Sequence, residues 1–197
     1  MSELIEKLAS LLENLPGIGP RQAKRFVYHL IDEDKKSIAL LIDLLSKIKN
    51  IRRCELCFQA FESPQCPICR EKKRNQEKIL IVGKDLDLLN IERTKIYDGL
   101  YFVLGGTISP FKGEIKKLRL KELFLRIKND GKIKEIIIAL SAGGEGEMTS
   151  RYIRKILEPL QKERDLKISR LGRGLHTGAE LEYLDQETIK NALENRK

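Results

Sequence analysis

The residues best suited to chemistry in this 197-residue chain are its four cysteines, arranged as Cys54-x2-Cys57 and Cys66-x2-Cys69. A two-residue spacer lets both thiolates of a pair curl around one ion, and the eight residues between the pairs close a tetrahedron without spare chain. This spacing predicts one Zn2+ per chain, held by Cys54, Cys57, Cys66 and Cys69. The competing reading, two disulfides, requires an oxidising compartment. Glu3, Glu6 and Glu13 interrupt the apolar residues at the N-terminus, so no secretory signal is expected there and a reducing cytoplasm fits better. Four thiolates leave a zinc ion no open position for water, so the metal is expected to be structural rather than catalytic. Phe58 and Phe61 are expected to supply the apolar cap of this module. Arg52, Arg53 and Arg70 either face phosphate or are solvated.

A second candidate is Leu15-Pro16-Gly17-Ile18-Gly19-Pro20, which joins two helical segments. Gly17 and Gly19 permit a tight turn, Ile18 can plug between the helices, and Pro20 suits a first helical position because its missing N–H costs nothing there. This is a helix-hairpin-helix pattern. Its glycines leave N–H groups uncovered beside a helix N-terminus, where a DNA phosphate is favoured. On the helix that follows, Ala23, Phe26, Val27 and Leu30 fall on one side, and Arg21, Lys24, Arg25 and Tyr28 fall on the other. Gly17, Gly19, Arg21, Lys24 and Arg25 are therefore the candidate DNA contacts. Two alternatives stand beside this reading: a plain turn with a solvated basic face, and packing of the hairpin against a copy of itself.

Other enzyme signatures are weak. The chain has no Gly-Lys-Ser/Thr phosphate loop, and Gly172-Arg173-Gly174-Leu175-His176-Thr177-Gly178 lacks dinucleotide spacing. His29 and His176 read as ordinary polar residues, with no free cysteine to act as a nucleophile beside either.

The elements that must position these residues change character along the chain. Leu4, Ile5, Leu8, Leu11, Leu12 and Leu15 recur at helical spacing, and Ile38 to Ile48 repeats the pattern, so the first fifty or so residues are helical. The charged stretch Glu71 to Lys78 reads as a linker. Beyond it, strands are expected at Ile79–Val82, Leu100–Leu104, Ile136–Leu140 and Lys167–Leu171. Helices are expected near Asp87–Arg93, Glu114–Lys128, Glu147–Glu163 and Gln186–Asn195. Apolar strands with helices between them imply a mainly parallel sheet covered on both faces. The fold class is multidomain α+β. The domains are expected at 1–51 (helix-hairpin-helix), 52–76 (zinc finger), 77–165 (α/β sheet domain) and 166–197 (a C-terminal strand and helix completing the sheet and oligomer contacts). No apolar run approaches a membrane span. The formal charge of +9 falls to about +7 once four thiolates hold a dication, and an excess of that sign favours a polyanionic partner, nucleic acid first.

The segments Ile79-Leu80-Ile81-Val82-Gly83-Lys84-Asp85 and Ala139-Leu140-Ser141-Ala142-Gly143-Gly144-Glu145-Gly146-Glu147 resemble a Toprim domain. Active Toprim domains carry a glutamate after the first strand and a pair of aspartates after the third, which together hold Mg2+. Here Gly83, Ser141 and Gly143 stand in those places. Only Glu145 and Glu147 remain, with Asp85 and Asp87 near enough to leave weak Mg2+ binding open.

Taken in order, the hairpin, the four-cysteine module, the degenerate Toprim domain, Ser169-Arg170-Leu171-Gly172-Arg173-Gly174 and Gly178-Ala179-Glu180-Leu181-Glu182-Tyr183-Leu184-Asp185 resemble the bacterial recombination family RecR. Tyr101 to Pro110 is similar to a further segment of that family. Gly83 and His176 depart from it, since the family usually keeps a glutamate and a proline there. The resemblance implies a non-enzymatic mediator that works with RecO, and in some pathways RecF, to place RecA on single-stranded DNA coated by SSB. It also implies a homotetrameric ring in the cytoplasm, with Arg21 and Arg25 facing DNA and Glu145 and Glu147 facing partner proteins. The alternative function is an Mg2+-dependent nuclease or strand-transfer enzyme of Toprim type, and a duller one is a zinc-containing scaffold with no DNA contact.

Overall fold

The computed structural model describes residues 2–109, 118–172, 174–175 and 177–194, with Glu187 described by its backbone alone. Glu114 to Lys117, expected to begin a helix, lie outside the described residues, as do Pro110, Arg173, His176 and Asn195. The chain divides into two units, 1–51 and 52–197.

The first unit contains α1 (Glu3–Glu13), α2 (Pro20–Asp32) and α3 (Lys35–Lys47), followed by a 3-10 turn at Ile48–Asn50. Asp34 caps α3, accepting from the Lys36 and Ser37 amides at 2.8 and 3.1 Å. The buried contact is built from small residues. Ala9 of α1 meets Ala23 and Val27 of α2, flanked by Ile5, Leu12 and Ile18. Of the side chains expected on the packed side of α2, Phe26 is instead 39% exposed, because alanine-sized contacts bring the helices together without needing it. The other leucines of α1 point elsewhere: Leu4, Leu8 and Leu11 are exposed, as is Leu15 just beyond the helix. Helix α3 buries no residue at all, and Leu40, Ile42, Leu44 and Leu45 are each more than half exposed.

The second unit opens with the cysteine module, made of β1 (Arg52–Arg53) paired antiparallel with β2 (Ala60–Phe61) and the single-turn α4 (Pro67–Arg70). The sheet strands β3 (Asn75–Val82), β4 (Gly99–Val103), β5 (Glu135–Ala139) and β6 (Lys167–Arg170) lie in the order β4-β3-β5-β6, all parallel to their neighbours. Helices α5 (Asp85–Thr94), α6 (Leu120–Asn129) and α7 (Gly144–Glu163) connect them, and α8 (Gln186–Glu194) follows.

The stretch expected to be a linker is corrected. Asn75 to Lys78 are the first half of β3, and Arg74 is anchored to the Gly99 carbonyl at 3.1 Å and to Glu71 and Glu92. Pairing with β4 and β5 overrides the polar character of these residues, since Lys78 sits opposite Glu135 in the ladder.

Register makes the two cores. Ile79 and Ile81 lie opposite Leu100 and Phe102 on one side and Ile136 and Ile138 on the other, so all six point to one face. That face packs on Leu123 and Ile127 of α6 and on Ile153 and Leu157 of α7. The alternate residues Leu80, Val82, Tyr101 and Val103 pack on Leu88 of α5. The order places a reversal of direction beside β3, because the chain leaves β3 for β4 and then returns past it to β5. Right-handed crossovers therefore put α5 on one face and α6 and α7 on the other. A crevice opens at the carboxyl ends of β3 and β5, where ligands enter sheets of this kind.

Candidate nucleic-acid interface and metal cluster

The hairpin is set by its backbone. The Leu15 amide donates to the Leu12 carbonyl at 3.0 Å, and the Ile18 amide donates to the Leu15 carbonyl at 3.2 Å. Gly17 takes φ +81°, the left-handed region in which a Cβ is strained. Gly19 is the N-cap of α2 with an extended φ of −90°, and Pro20 occupies the first turn. Nothing lies within 4 Å of where a Cβ would stand at either glycine, so this loop is open to solvent. No side chain caps α2, and its first turn holds no acidic residue. Arg21, Lys24 and Arg25 are all exposed beside it. The hairpin thus presents a helix N-terminus without a competing carboxylate and with three cations around it, an arrangement that attracts anions.

The cysteine sulfurs converge. Cys54, Cys57 and Cys66 are buried and Cys69 is half-buried, with all four Sγ atoms within 4.8 Å of one another. The Cys57 and Cys66 sulfurs are 3.5 Å apart, close to the ~3.8 Å edge of a tetrahedron of Zn–S bonds. The amide of Cys66 donates to the sulfur of Cys54 at 3.4 Å, the kind of contact that steadies a thiolate. Hydrogen bonds from Cys57 and then Cys69 pull the Cys66 thiol far below its usual range. The bond to Cys66 pushes the Cys57 thiol up, and bonds to Cys57 and Cys66 together with burial push Cys69 up. Sulfurs this close cannot all ionise alone, and a dication is the species that lets them do so. The cluster therefore fits a metal ion. Leu56, Phe61 and Ile68 pack around it. Phe58, expected as part of the same cap, turns away instead. At φ +62° it sets its ring edge-on against Phe102 of β4 with centroids 5.3 Å apart, under the guanidinium of Arg119.

The module is bound to the sheet by polar contacts as well. The amide of Val103 donates to the Cys57 carbonyl at 2.8 Å. Arg53 donates to Asp85 at 2.6 Å, and the Ala60 amide donates to the other oxygen of that carboxylate at 2.7 Å. Arg53 is thus engaged within the protein. Neither Asp85 nor Arg119 stood out as a fastener in the sequence, because the contacts they make join segments far apart in the chain.

The crevice between β3 and β5 has a volume of about 510 Å³ and is lined by Gly83, Lys84, Asp87, Thr107, Ser141 and Glu145, among others. Its carboxylates do not converge. Asp87 accepts from the Lys84 amide at 2.8 Å as part of the start of α5. Glu145 accepts from the Thr107 hydroxyl at 2.8 Å, whereas Glu147 turns to Arg170 of β6 at 2.7 Å and to Arg151 at 3.2 Å. Among the described residues, Asp85, Asp87, Glu145 and Glu147 thus meet different partners. Among the described residues the cysteines are the group of three or more ligand side chains gathered closely enough for a metal. A Cβ on Gly83 would lie 3.2 Å from Asp87, so a larger side chain there would enter the crevice. No helix among the described residues is long and apolar enough to cross a membrane.

Comparison with known proteins agrees with this layout. A family model for the RecR helix-hairpin-helix matches residues 4–49, one for the Toprim domain matches 77–172, and one for the RecR C-terminal region matches 174–197. The chain is 40% identical over 194 residues to the recombination protein RecR of Dehalococcoides mccartyi strain 195, covering 98% of this chain and 93% of that one. It is 40% identical over 193 residues to RecR of Synechococcus strain CC9605, covering 97% and 98%. It is 39% identical over 195 residues to RecR of Bifidobacterium animalis, covering 98% and 95%. A shared sequence of that extent, running through hairpin, cysteine cluster, Toprim sheet and C-terminal segment alike, makes this chain a member of the RecR family of DNA recombination and repair proteins.

Proposed function

We propose that this chain is a non-enzymatic recombination mediator that holds DNA through its helical hairpin without reading sequence. The observation that carries the reading is the exposed hairpin, where an uncapped helix start is flanked by Arg21, Lys24 and Arg25 and no acidic side chain stands in the first turn. Backbone N–H groups and lysine or arginine side chains contact phosphate, which every sequence presents alike. The dispersal of Asp85, Asp87, Glu145 and Glu147 to separate partners supports a role without Mg2+ chemistry.

In the same reading Cys54, Cys57, Cys66 and Cys69 hold one structural Zn2+, and the ion's contribution is to fix the module against the sheet. The domains are taken as 1–51, 52–76, 77–165 and 166–197. Copies of the chain assemble as a tetrameric ring that encircles DNA, and four basic hairpins sum to useful affinity from modest individual contacts. The exposed leucines of α1 and α3 supply apolar surface for such assembly. The Toprim surface around Glu145 and Glu147 receives RecO, and in some pathways RecF, so that RecA is loaded onto SSB-coated single strands in the bacterial cytoplasm.

Fluorescence anisotropy of labelled single-stranded and duplex DNA, repeated across a salt series, tests the central claim. The Arg21→Glu, Arg25→Glu variant is expected to bind at least about tenfold more weakly and to lower the salt slope by about two. Superimposable isotherms for variant and parent would remove the hairpin from the binding surface.

A further inference from the structure

We propose that a groove between the cysteine module and α6 is a docking site for a cationic segment of a partner protein, distinct from the DNA-facing hairpin. The groove has a volume of about 420 Å³ and runs between the first cysteine knuckle and one face of α6. Its floor is apolar. Leu56 and Phe58 contribute from the knuckle, and Leu125 of α6, 42% exposed, contributes from the opposite wall. Glu122, Leu125, Arg126 and Asn129 recur at three- and four-residue intervals, so the wall is a single helix face.

The charge of the rim sets the chemistry of the occupant. Arg126 is paired with Asp130 at 3.2 Å, which neutralises both. Glu55 and Glu122 remain: both are exposed, and neither side chain makes a hydrogen bond or ion pair among the described residues. Arg119 lies near enough to feel the charge of Glu122 but is itself spent on the Val103 carbonyl and the Phe58 ring. In a chain with 38 cationic and 29 acidic side chains, unpaired carboxylates beside an exposed leucine are the reverse of the prevailing surface. Such a rim repels a phosphate backbone and attracts lysine or arginine, while the floor accepts an aliphatic side chain. The volume accommodates a few side chains rather than the face of a domain, which fits a short extended or single-turn segment in which basic residues flank an aliphatic anchor.

The test uses the full-length, zinc-loaded protein and a fluorescently labelled eight-residue peptide of alternating arginine and leucine, with an alternating glutamate and leucine peptide as its counterpart. Saturable binding of the cationic peptide alone is expected. The Glu55→Lys, Glu122→Lys variant should weaken it at least about tenfold, and Leu125→Ser should weaken it by a similar factor. An Asn90→Lys control, which adds a positive charge at an exposed position of α5 across the sheet from α6, should leave it unchanged. Absence of saturable binding, or an equal loss in the Asn90→Lys control, would overturn the proposal. So would a change in solution mass caused by the Glu55→Lys, Glu122→Lys substitutions, because the groove would then be an interface between copies of this chain. DNA affinity measured on the same variants separates this site from the hairpin, since loss of the hairpin role leaves the peptide result intact.

Discussion

Asp85, the first residue of α5, accepts a 2.6 Å hydrogen bond from Arg53 at the start of the cysteine module. Its second oxygen accepts the Ala60 amide at 2.7 Å, so one carboxylate binds both strands of the module to the first helix of the sheet domain. An acidic residue just past the carboxyl end of β3 is here a structural clasp. Burial alone would raise its pKa, but the Arg53 hydrogen bond, the Ala60 amide and the Arg53 charge outweigh that and hold it below its ordinary value.

Replacing Asp85 by Ala should lower stability to denaturant by about 1–3 kcal/mol, because the Ala60 amide loses its acceptor, and Asp85→Asn, which keeps an acceptor, should cost less. A depressed carboxyl stabilises the fold above its unfolded pKa, and that contribution disappears as the pH falls below about 3.8 through the folded value. The parent should therefore lose an increment of stability in acid that Asp85→Asn has already lost. Equal acid sensitivity in parent and variant would show that the clasp contributes nothing.

The two hairpin glycines should respond differently to alanine. Gly17 sits at φ +81°, so Gly17→Ala should cost about 1 kcal/mol or more and reduce DNA affinity by disturbing the loop. Gly19 has an ordinary backbone angle and open space around it, so Gly19→Ala should leave the fold intact. Thermal melts and DNA anisotropy on both variants read this contrast directly.

Metal removal should be felt at the edge of the sheet. The Val103 amide depends on the Cys57 carbonyl at 2.8 Å, and Phe58 rests on Phe102. Strong chelation, or Cys66→Ser, should accelerate hydrogen exchange at Val103 by an order of magnitude or more, while Ile138 in the interior strand stays protected. Unchanged exchange at Val103 would mean that the module is held without the ion.

The uncovered leucines carry a prediction about assembly. Leu11 is 66% exposed and Leu45 is 55% exposed, and burying such a side chain contributes roughly 1.5–3 kcal/mol. Leu11→Ser combined with Leu45→Ser should lower the solution mass seen by light scattering while leaving the helical signal of the monomer in place. An unaltered mass would place the contact between copies on another surface.

The cysteine spacing, the glycine hairpin and the alternation of strand and helix were legible in the sequence because each depends on neighbours a few residues apart. Ligand pairs, tight turns and the periodicity of buried faces are local properties, and so the fold class and family could be read from residue order. What the chain order concealed was decided by pairing at long range. Asn75 to Lys78 look like a polar connection and become strand because β4 and β5 flank them. Phe58 resembles a cap for the cysteines, yet its left-handed backbone turns the ring onto Phe102. Arg53 looks available to phosphate until the fold brings Asp85, thirty-two residues away, within 2.6 Å. Glu145 and Glu147, two residues apart in the chain, part company because positions two apart on a helix face nearly opposite directions, one toward Thr107 and the other toward Arg170. A side chain's type limits what it can bind, and the tertiary structure, by setting which partner is within reach, selects what it does bind.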